Sequence, residues 1–150
     1  LAGDEASFLR DVVGHGIDMV DCARLQESIA RHGDRFLERV FTPVELAYCR
    51  NRRREIEHLA GRFAAKEAVL KVLGTGWRKG ISWQDIEIRN DPSGRPEVSL
   101  SGECRRVADR LGIADVLVSI SHIETHAIAS AIGRGGDAPK RGEGDSMVFA

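Results

Sequence analysis

Residues 62–76 read RFAAKEAVLKVLGTG, and this stretch decides the fold because it predicts a long helix built mostly from Phe, Ala, Val and Leu. Such a helix is expected to be buried, and the Gly-Thr-Gly at 74–76 ends it. It nevertheless carries Lys66, Glu67 and Lys71. Charged side chains are rarely buried without a partner, so all three require an explanation.

Helix-start signals precede this stretch. Asp21 is a suitable cap for one or two helical segments that run to Val40 and break near Gly33. The tetrad Thr42-Pro43-Val44-Glu45 is a capping box with proline at the first helical position. We therefore expect a helix after each cap, ahead of the long helix at about 57–73.

Apolar runs between turn signals predict the strands. The segment Asn90-Asp91-Pro92-Ser93-Gly94 is a strong turn signal between two of them. A helix at about 102–111 is expected to turn Val107, Ala108 and Leu111 inward. The predicted strands lie at 12–20, 82–90, 96–100, 116–121 and 127–132. This order predicts the α+β class, with an antiparallel sheet covered by helices.

The composition is that of an ordinary globular protein of 150 residues, with 42% hydrophobic and 30% charged residues. A chain of this length can bury one real core. The net charge of −1 argues against a nucleic-acid partner, and no apolar run approaches the roughly 20 residues that span a membrane. The three cysteines are widely spaced and there is no secretory signal, so we expect a cytoplasmic protein.

Three regions are predicted along the chain. Residues 1–12 form an N-terminal extension, residues 13–133 form the single domain, and residues 134–150 form a C-terminal tail. The tail is rich in glycine and polar residues and has little apolar surface to bury, so we expect it to be mobile.

Glu67 and Lys71 are four residues apart, which is the spacing of a surface ion pair on a helix. Alternatively both side chains point into a cleft, because a carboxylate on a rigid helix suits Mg²⁺ and a nearby lysine suits a phosphate. Asp18 would supply a second carboxylate, since it stands near the end of an apolar strand where burial is costly without a partner. Asp18 can equally be a turn or cap residue, and spacing alone leaves these alternatives open.

Two further positions also have two interpretations each. His122 lies near the short connection between the last two strands, where it is either a ligand or a histidine bonded to the backbone. The Gly-Thr-Gly at 74–76 either lets the backbone approach a phosphate or is a plain helix end followed by a turn.

Taken together, these segments resemble one protein family. They occur in the order found in the holo-[acyl-carrier-protein] synthases, the small 4′-phosphopantetheinyl transferases, and they cover residues 13–132. The GID and FAAKEA segments, together with the SxSH motif, are the specific part. The segments are GIDMVDCARL (16–25), FTPVELAYC (41–49), HLAGRFAAKEAVLKVLGTG (58–76), GRPEV (94–98) and SISH (119–122).

The resemblance implies the 4′-phosphopantetheinyl transferase fold and transfer of the phosphopantetheine arm of coenzyme A to a serine of apo acyl carrier protein. It implies Mg²⁺ as the cofactor, with Asp18 and Glu67 as its ligands. The implied catalytic residues are Glu67, Lys71 and His122. The implied contacts to coenzyme A come from Arg62, Lys71, Gly74, Thr75, Gly76 and His122.

The resemblance also implies a partner and an assembly. Acyl carrier proteins of this class are acidic, and Arg24 matches the arginine that follows the GID segment. Arg24 is therefore the expected docking residue. Its spacing to Arg31 and Arg35 keeps these three roughly on one side of the first helical region, which also carries Arg39. The family implies a homotrimer with active sites at subunit boundaries, and a role in fatty acid biosynthesis. The preferred carrier protein stays open.

The arginine-rich run at 50–54 supports a competing interpretation, a module that binds nucleic acid or an acidic protein. It assigns no role to Asp18 or Glu67, and an aromatic content of 5% offers little stacking surface for bases. A different Mg²⁺-dependent nucleotide enzyme is disfavoured because the chain has no GxxxxGK[ST] loop. A relative that only binds coenzyme A is disfavoured because all the implied catalytic residues are present.

Overall fold

The caps and turns of the sequence set the element boundaries in a computed structural model, which describes residues 11–76, 78 and 80–136. The helices are α1 (Cys22–His32), α2 (Asp34–Val40), α3 (Pro43–Cys49), α4 (Glu55–Leu73) and α5 (Gly102–Arg110). The strands are β1 (Val12–Asp21), β2 (Ile86–Asn90), β3 (Pro96–Leu100), β4 (Asp115–His122) and β5 (His126–Arg134). The α+β class is confirmed.

The predicted helix caps are confirmed. The Asp21 side chain accepts a hydrogen bond from the Arg24 amide at 3.2 Å at the start of α1. Before α3, the Thr42 amide donates to Glu45 Oε1 at 2.8 Å and the Glu45 amide donates to Thr42 Oγ1 at 3.3 Å. Gly33 separates α1 from α2. Gly74 ends α4 with a φ of 70°, a left-handed conformation that favours glycine.

The strands form two antiparallel sheets rather than the one that was predicted. One has the order β1-β5-β4, and the other is the β2-β3 hairpin around the predicted turn. The predicted strand 82–90 was too long, because Trp83–Asp85 form a 3₁₀ turn before β2. Ser82 caps that turn through its side chain, which accepts from the Gln84 amide at 3.3 Å.

One inward-facing prediction on α5 was wrong. Val107 and Ala108 are buried as expected, but Leu111 is 44% exposed. Leu111 is the C-terminal cap of α5, so the helical period no longer sets its direction. Ile113, just beyond it, is buried instead.

The helix α4 packs on the β1-β5-β4 sheet with unusually close backbone contact. A Cβ atom added at Gly16 of β1 would lie only 2.1 Å from the Ala68 carbonyl oxygen, so no larger residue fits there. On β5 the residues facing the helix are buried alanines, Ala127, Ala129 and Ala131. Small residues on both sides therefore bring the helix axis close to the strands.

A buried ion pair joins α4 to α3 and β2. Lys66 is fully buried, and its Nζ lies 2.6 Å from Glu45 Oε1. The same Nζ donates to the carbonyls of Trp83 and Ile86 at 3.0 and 2.7 Å. Glu45 Oε2 in turn accepts from the Ile88 amide at 2.9 Å. Burial lowers the pKa of the Lys66 ammonium, and Glu45 opposes that shift.

The ends of the domain are joined to each other. The Gly135 amide donates to the Asp11 carbonyl at 2.6 Å, and Arg134 bonds to Asp115 across β5 and β4. The predicted extension and tail lie mostly outside the described residues and stay predictions. Within the described ranges, no helix is long and apolar enough to cross a membrane.

We expect Lys66→Met to lower the free energy of unfolding by roughly 3–5 kcal/mol, because the substitution leaves the Glu45 carboxylate buried without its counter-ion. Chemical denaturation at neutral pH measures the loss. Lys71→Met, on the same helix but half exposed, is the matched control and should cost about 1 kcal/mol or less. Equal losses in the two variants would contradict a special role for the buried pair.

Candidate active site

Three of the predicted site residues converge where β1 crosses α4. The Lys71 Nζ lies 3.1 Å from Asp18 Oδ1 and also donates to the Ile17 carbonyl at 2.8 Å. Glu67, one helical turn before Lys71, is half-buried beside this pair. The spacing of four residues is compatible with an ion pair between Lys71 and Glu67. The Lys71 ammonium instead contacts Asp18 and the Ile17 carbonyl of β1.

The electrostatics of this cluster disfavour a charged Glu67. Burial raises the pKa of the Glu67 carboxyl, the negative charge of Asp18 raises it further, and Lys71 opposes both effects. Two carboxylates close enough to repel each other, with one ammonium between strand and helix, leave a net negative charge at the edge of the sheet. Such an arrangement favours the binding of a cation.

The donor set fits Mg²⁺ better than a transition metal. Among the residues that the structure describes, no group of three or more His, Cys, Asp or Glu side chains is arranged to hold a metal ion. Mg²⁺ does not need such a group, because it usually takes one or two carboxylates and completes its shell with waters and substrate phosphates. Asp18 and Glu67 supply two carboxylates of the kind Mg²⁺ takes, and the Lys71 ammonium lies beside them.

His122 ends β4 and faces the same side of the sheet as Asp18. The register pairs His122 with Ala127 and Asp18 with Ala129, so both side chains lie on the face that packs against α4. They are two strands apart, a separation of about 10 Å across the sheet. His122 Nδ1 lies 2.7 Å from Glu57 Oε2, at the opposite end of α4 from Lys71.

Arg62 is more buried than a residue at a ligand surface would be. Its guanidinium stacks 3.8 Å above the Tyr48 ring and donates from Nη2 to Asn90 Oδ1 at 2.6 Å. Its Nε is buried with no hydrogen-bond partner among the described residues. The contact of Arg62 with coenzyme A stays a prediction, and the side chain that would make it is engaged with Tyr48 and Asn90.

The Gly-Thr-Gly segment turns the chain sharply after α4. Gly74 and Gly76 have φ values of 70° and 56°, and a Cβ at either position would meet no atom within 4 Å. Glycine is thus favoured there by backbone conformation rather than by crowding. The hydroxyl of Thr75 is buried without a partner in the described part of the chain, so it has bonding capacity left for a ligand.

Arg24 lies at a cleft that begins at Asp18. The cleft has a volume of about 440 Å³ and combines these charges with an apolar wall. Residues that line it include Asp18, Arg24, Leu25, Phe36, Phe63 and His126. The predicted face of Arg24, Arg31 and Arg35 is divided between two helices. Gly33 breaks the chain, so that Arg24 and Arg31 lie on α1 while Arg35 lies on α2 together with Arg39.

The sequence reasoning missed Lys66 and Glu57. In the sequence, Lys66 is one of several charges on the predicted helix, and no spacing signal links it to Glu45. The sequence holds one weak sign that Glu57 is buried. Glu57, Gly61 and Ala68 recur at the helical period, so they share the side of the helix that packs on the sheet. A carboxylate in such a row is costly unless it has a partner.

Comparisons with known proteins agree with this geometry. The family model of the 4′-phosphopantetheinyl transferase superfamily matches residues 14–130. The holo-[acyl-carrier-protein] synthase of Koribacter versatilis is 46% identical over 121 residues, which cover 81% of this chain and 97% of that protein. The synthase of Moorella thermoacetica is 50% identical over 117 residues, covering 78% and 90%.

Solved structures give the same result. The Helicobacter pylori holo-[acyl-carrier-protein] synthase, solved in complex with coenzyme A, has a TM-score of 0.70 and 35% identity, covering 79% of this chain and 98% of that one. The Neisseria meningitidis synthase has a TM-score of 0.74 and 33% identity, covering 81% and 98%. The motifs, the fold and both sets of relatives agree, and the chain belongs to the holo-[acyl-carrier-protein] synthase family of 4′-phosphopantetheinyl transferases.

Proposed function

We propose that this chain transfers the 4′-phosphopantetheine group of coenzyme A to a serine hydroxyl of apo acyl carrier protein, and releases adenosine 3′,5′-bisphosphate. The observation that carries the proposal is the convergence of Asp18, Glu67 and Lys71 at one edge of the sheet. Relatives that share most of the chain are named for this reaction, and one was solved with coenzyme A.

The reaction is a phosphoryl transfer, in which catalysis comes mainly from positioning and from neutralising charge. Asp18 and Glu67 would hold Mg²⁺, which when bound supplies Lewis-acid chemistry to the diphosphate. Lys71 is half exposed beside Asp18, so its ammonium can contact a phosphate oxygen without leaving the cluster. Glu67 is also a candidate to accept the proton of the attacking serine, because a positioned carboxylate can act as a general base.

An oligomer would explain why the site residues of one chain are divided. Asp18 and His122 are two strand spacings apart, about 10 Å across the sheet, and are also offset by two residues along the strands. His122 contacts Glu57 near the start of α4, whereas Lys71 lies near the end of that helix. The outer face of the same sheet carries exposed apolar side chains, including Met19 at 65% and Ile17 at 50%. An uncovered apolar face of this kind favours association of copies. By the family resemblance, the proposed assembly has three copies, with the active sites shared between neighbours.

Arg24 and the adjacent cleft supply a docking place for the carrier protein. Arg24 is exposed, and the cleft leads from it to Asp18. An acidic carrier that binds Arg24 would therefore bring its serine towards the carboxylate cluster. By the resemblance, the holo carrier produced would serve fatty acid biosynthesis. The three cysteines are buried free thiols, which suits the reducing cytoplasm proposed as its location.

The competing nucleic-acid interpretation has less support. Arg52 donates to the Tyr48 carbonyl at 2.7 Å and stacks 3.9 Å above the Tyr48 ring. Arg54 lies 3.8 Å from the buried Glu57 carboxylate. Two of the arginines in the 50–54 run therefore have partners within the domain, which reduces the positive charge available to a phosphate backbone.

The proposed reaction predicts a mass increase in the carrier protein. Apo acyl carrier protein incubated with this chain, coenzyme A and Mg²⁺ should gain the mass of one phosphopantetheine group, as measured by intact-protein mass spectrometry. EDTA should abolish the gain, because the diphosphate would lose its Lewis acid. No gain with several different carrier proteins would overturn the proposed activity.

Glu67→Gln is expected to fold with a thermal unfolding temperature no lower than that of the wild-type chain in metal-free buffer at neutral pH. The substitution removes an ionised carboxylate that burial and Asp18 disfavour. Because the pKa of Glu67 is raised in the folded state, that state binds the proton more tightly, and the wild-type chain gains relative stability as the pH falls. The difference between the two proteins should therefore shrink towards acid pH.

Mg²⁺ should raise the unfolding temperature of the wild-type chain but not that of Glu67→Gln, and the variant should lose transferase activity. Thermal unfolding followed by circular dichroism, with and without Mg²⁺, measures the first effect. Glu27→Gln on the exposed side of α1 is the matched control for loss of one negative charge. Full activity and an unchanged response to Mg²⁺ in Glu67→Gln would remove Glu67 from the site.

Arg24→Glu is expected to raise the KM for acyl carrier protein by at least about ten-fold while changing the KM for coenzyme A little, because it replaces attraction by repulsion at one docking contact. Steady-state kinetics with each substrate varied in turn measure the two constants. Arg53→Glu places the same charge reversal in the 50–54 run. A larger effect from Arg53→Glu would move the docking surface to that run.

A further inference from the structure

The buried carboxylate of Glu57 has no role in the reaction as described so far. Glu57 lies near the start of α4 and is only 4% exposed. Its Oε2 lies 2.7 Å from His122 Nδ1, and the Arg54 guanidinium lies 3.8 Å from the same oxygen. A carboxylate at such depth is costly unless charge or hydrogen bonds compensate it, so its main partner, His122, is informative.

The contact fixes the hydrogen on the His122 ring. An ionised carboxylate can only accept hydrogen bonds, so Nδ1 must carry the hydrogen. The other ring nitrogen, Nε2, is then free to bind a ligand. When the ring is protonated, Nε2 becomes a donor as well. A carboxylate behind a histidine in this way sets both its tautomer and its orientation.

A second histidine supports this arrangement. The His58 ring makes an edge contact with His122, with 5.3 Å between ring centroids, and another with Tyr48 at 5.8 Å. Burial lowers the pKa of His58, and the charges of His122, Arg52 and Arg62 lower it further, while Glu57 opposes them. A neutral His58 therefore packs against the His122 ring. Of the two histidines, it is His122 whose ring nitrogen contacts the Glu57 carboxylate.

The charged and titratable groups around the pair come from several elements. Arg54 lies just before α4 and His58 lies on it, both beside Glu57. Burial raises the pKa of the Cys22 thiol on α1, and the nearby Glu57 charge raises it further. Arg52 and Arg62 both stack on the Tyr48 ring, and their positive charges add to the effect of burial in lowering the pKa of His58. The surroundings are thus rich in positive charge, and Glu57 is the carboxylate that contacts His122 directly.

We propose that Glu57 is a positioning residue of the transferase reaction, which acts through His122 by holding its ring so that Nε2 faces a phosphate oxygen of coenzyme A. The proposal rests on the proposed function, because it assumes that His122 contacts coenzyme A. Glu57 itself touches no reacting atom. Its effect should therefore depend on the presence of the His122 ring.

The test combines kinetics with nuclear magnetic resonance of the histidine ring nitrogens. Glu57→Gln removes the charge and keeps the shape, and Glu57→Asp keeps the charge on a side chain one methylene shorter. Each should lower kcat/KM for coenzyme A by roughly ten- to a hundred-fold, the range typical of residues that orient a ligand histidine. The KM for acyl carrier protein should stay within about two-fold, since no docking contact changes. Glu55→Gln, two residues away and exposed on the same helix, should match the wild-type chain.

The double variant separates positioning from a general structural role. If Glu57 acts through His122, then Glu57→Gln should cause no further loss in a His122→Ala background. In the wild-type chain, the ¹⁵N shifts should show a hydrogen on His122 Nδ1, and this preference should weaken in Glu57→Gln. The nitrogen shifts need only the folded wild-type chain, so they test the tautomer even if a variant folds poorly.

Three results would overturn the proposal. These are wild-type kinetics in both Glu57 variants, additive losses in the double variant, and a wild-type His122 with its hydrogen on Nε2. In each of these cases the wild-type chain would still modify the carrier protein, so the proposed function would stand. A wild-type chain that modifies no carrier would overturn the proposed function and, with it, the role of Glu57.

Discussion

The buried contact between Lys66 and Glu45 is the interaction on which the arrangement of the other elements depends. Glu45 caps α3, accepts from the backbone of β2 and neutralises Lys66 of α4, so one carboxylate serves three elements. Lys66 in turn bonds the carbonyls of Trp83 and Ile86, at the 3₁₀ turn and the start of β2. Each of these groups would be buried and unsatisfied if the others moved, so the elements are held in one relative position.

That fixed position explains why a largely apolar helix carries so many charges. Three charged side chains of α4 point to different neighbours: Lys66 to α3 and β2, Lys71 to β1, and Glu57 to β4. The close approach of the helix to the sheet, through Gly16 and the alanines of β5, makes these short contacts possible. The helix is therefore apolar where it packs and polar at its margins, and the margins are where phosphate chemistry can take place.

Local signals in the sequence predicted local structure well. Asp21, the Thr42–Glu45 box and Gly74 each act within one turn of chain, and each ends or begins a helix as expected. The family motifs also predict Asp18, Glu67 and Lys71 as site residues; the three lie together in the structure, and their roles stay predictions. Contacts between residues far apart in sequence were not predictable in this way. Nothing around Lys66 or Glu57 specifies Glu45 or His122, because those pairings follow from how α4 lies on its neighbours.

At the two carboxylates that the sheet and helix bring together, stability and the proposed function have opposite requirements. Asp18 has Lys71 as a partner, but Glu67 is half-buried beside a like charge, which makes its ionised form unfavourable. A fold selected only for stability would replace Glu67 by a neutral residue, since the rest of α4 is well packed. A cation between Asp18 and Glu67 would instead turn their repulsion into binding energy, because both carboxylates would then face opposite charge. The unfavourable charge of Glu67 is thus the feature of this domain that is hardest to explain by folding and easiest to explain by a ligand.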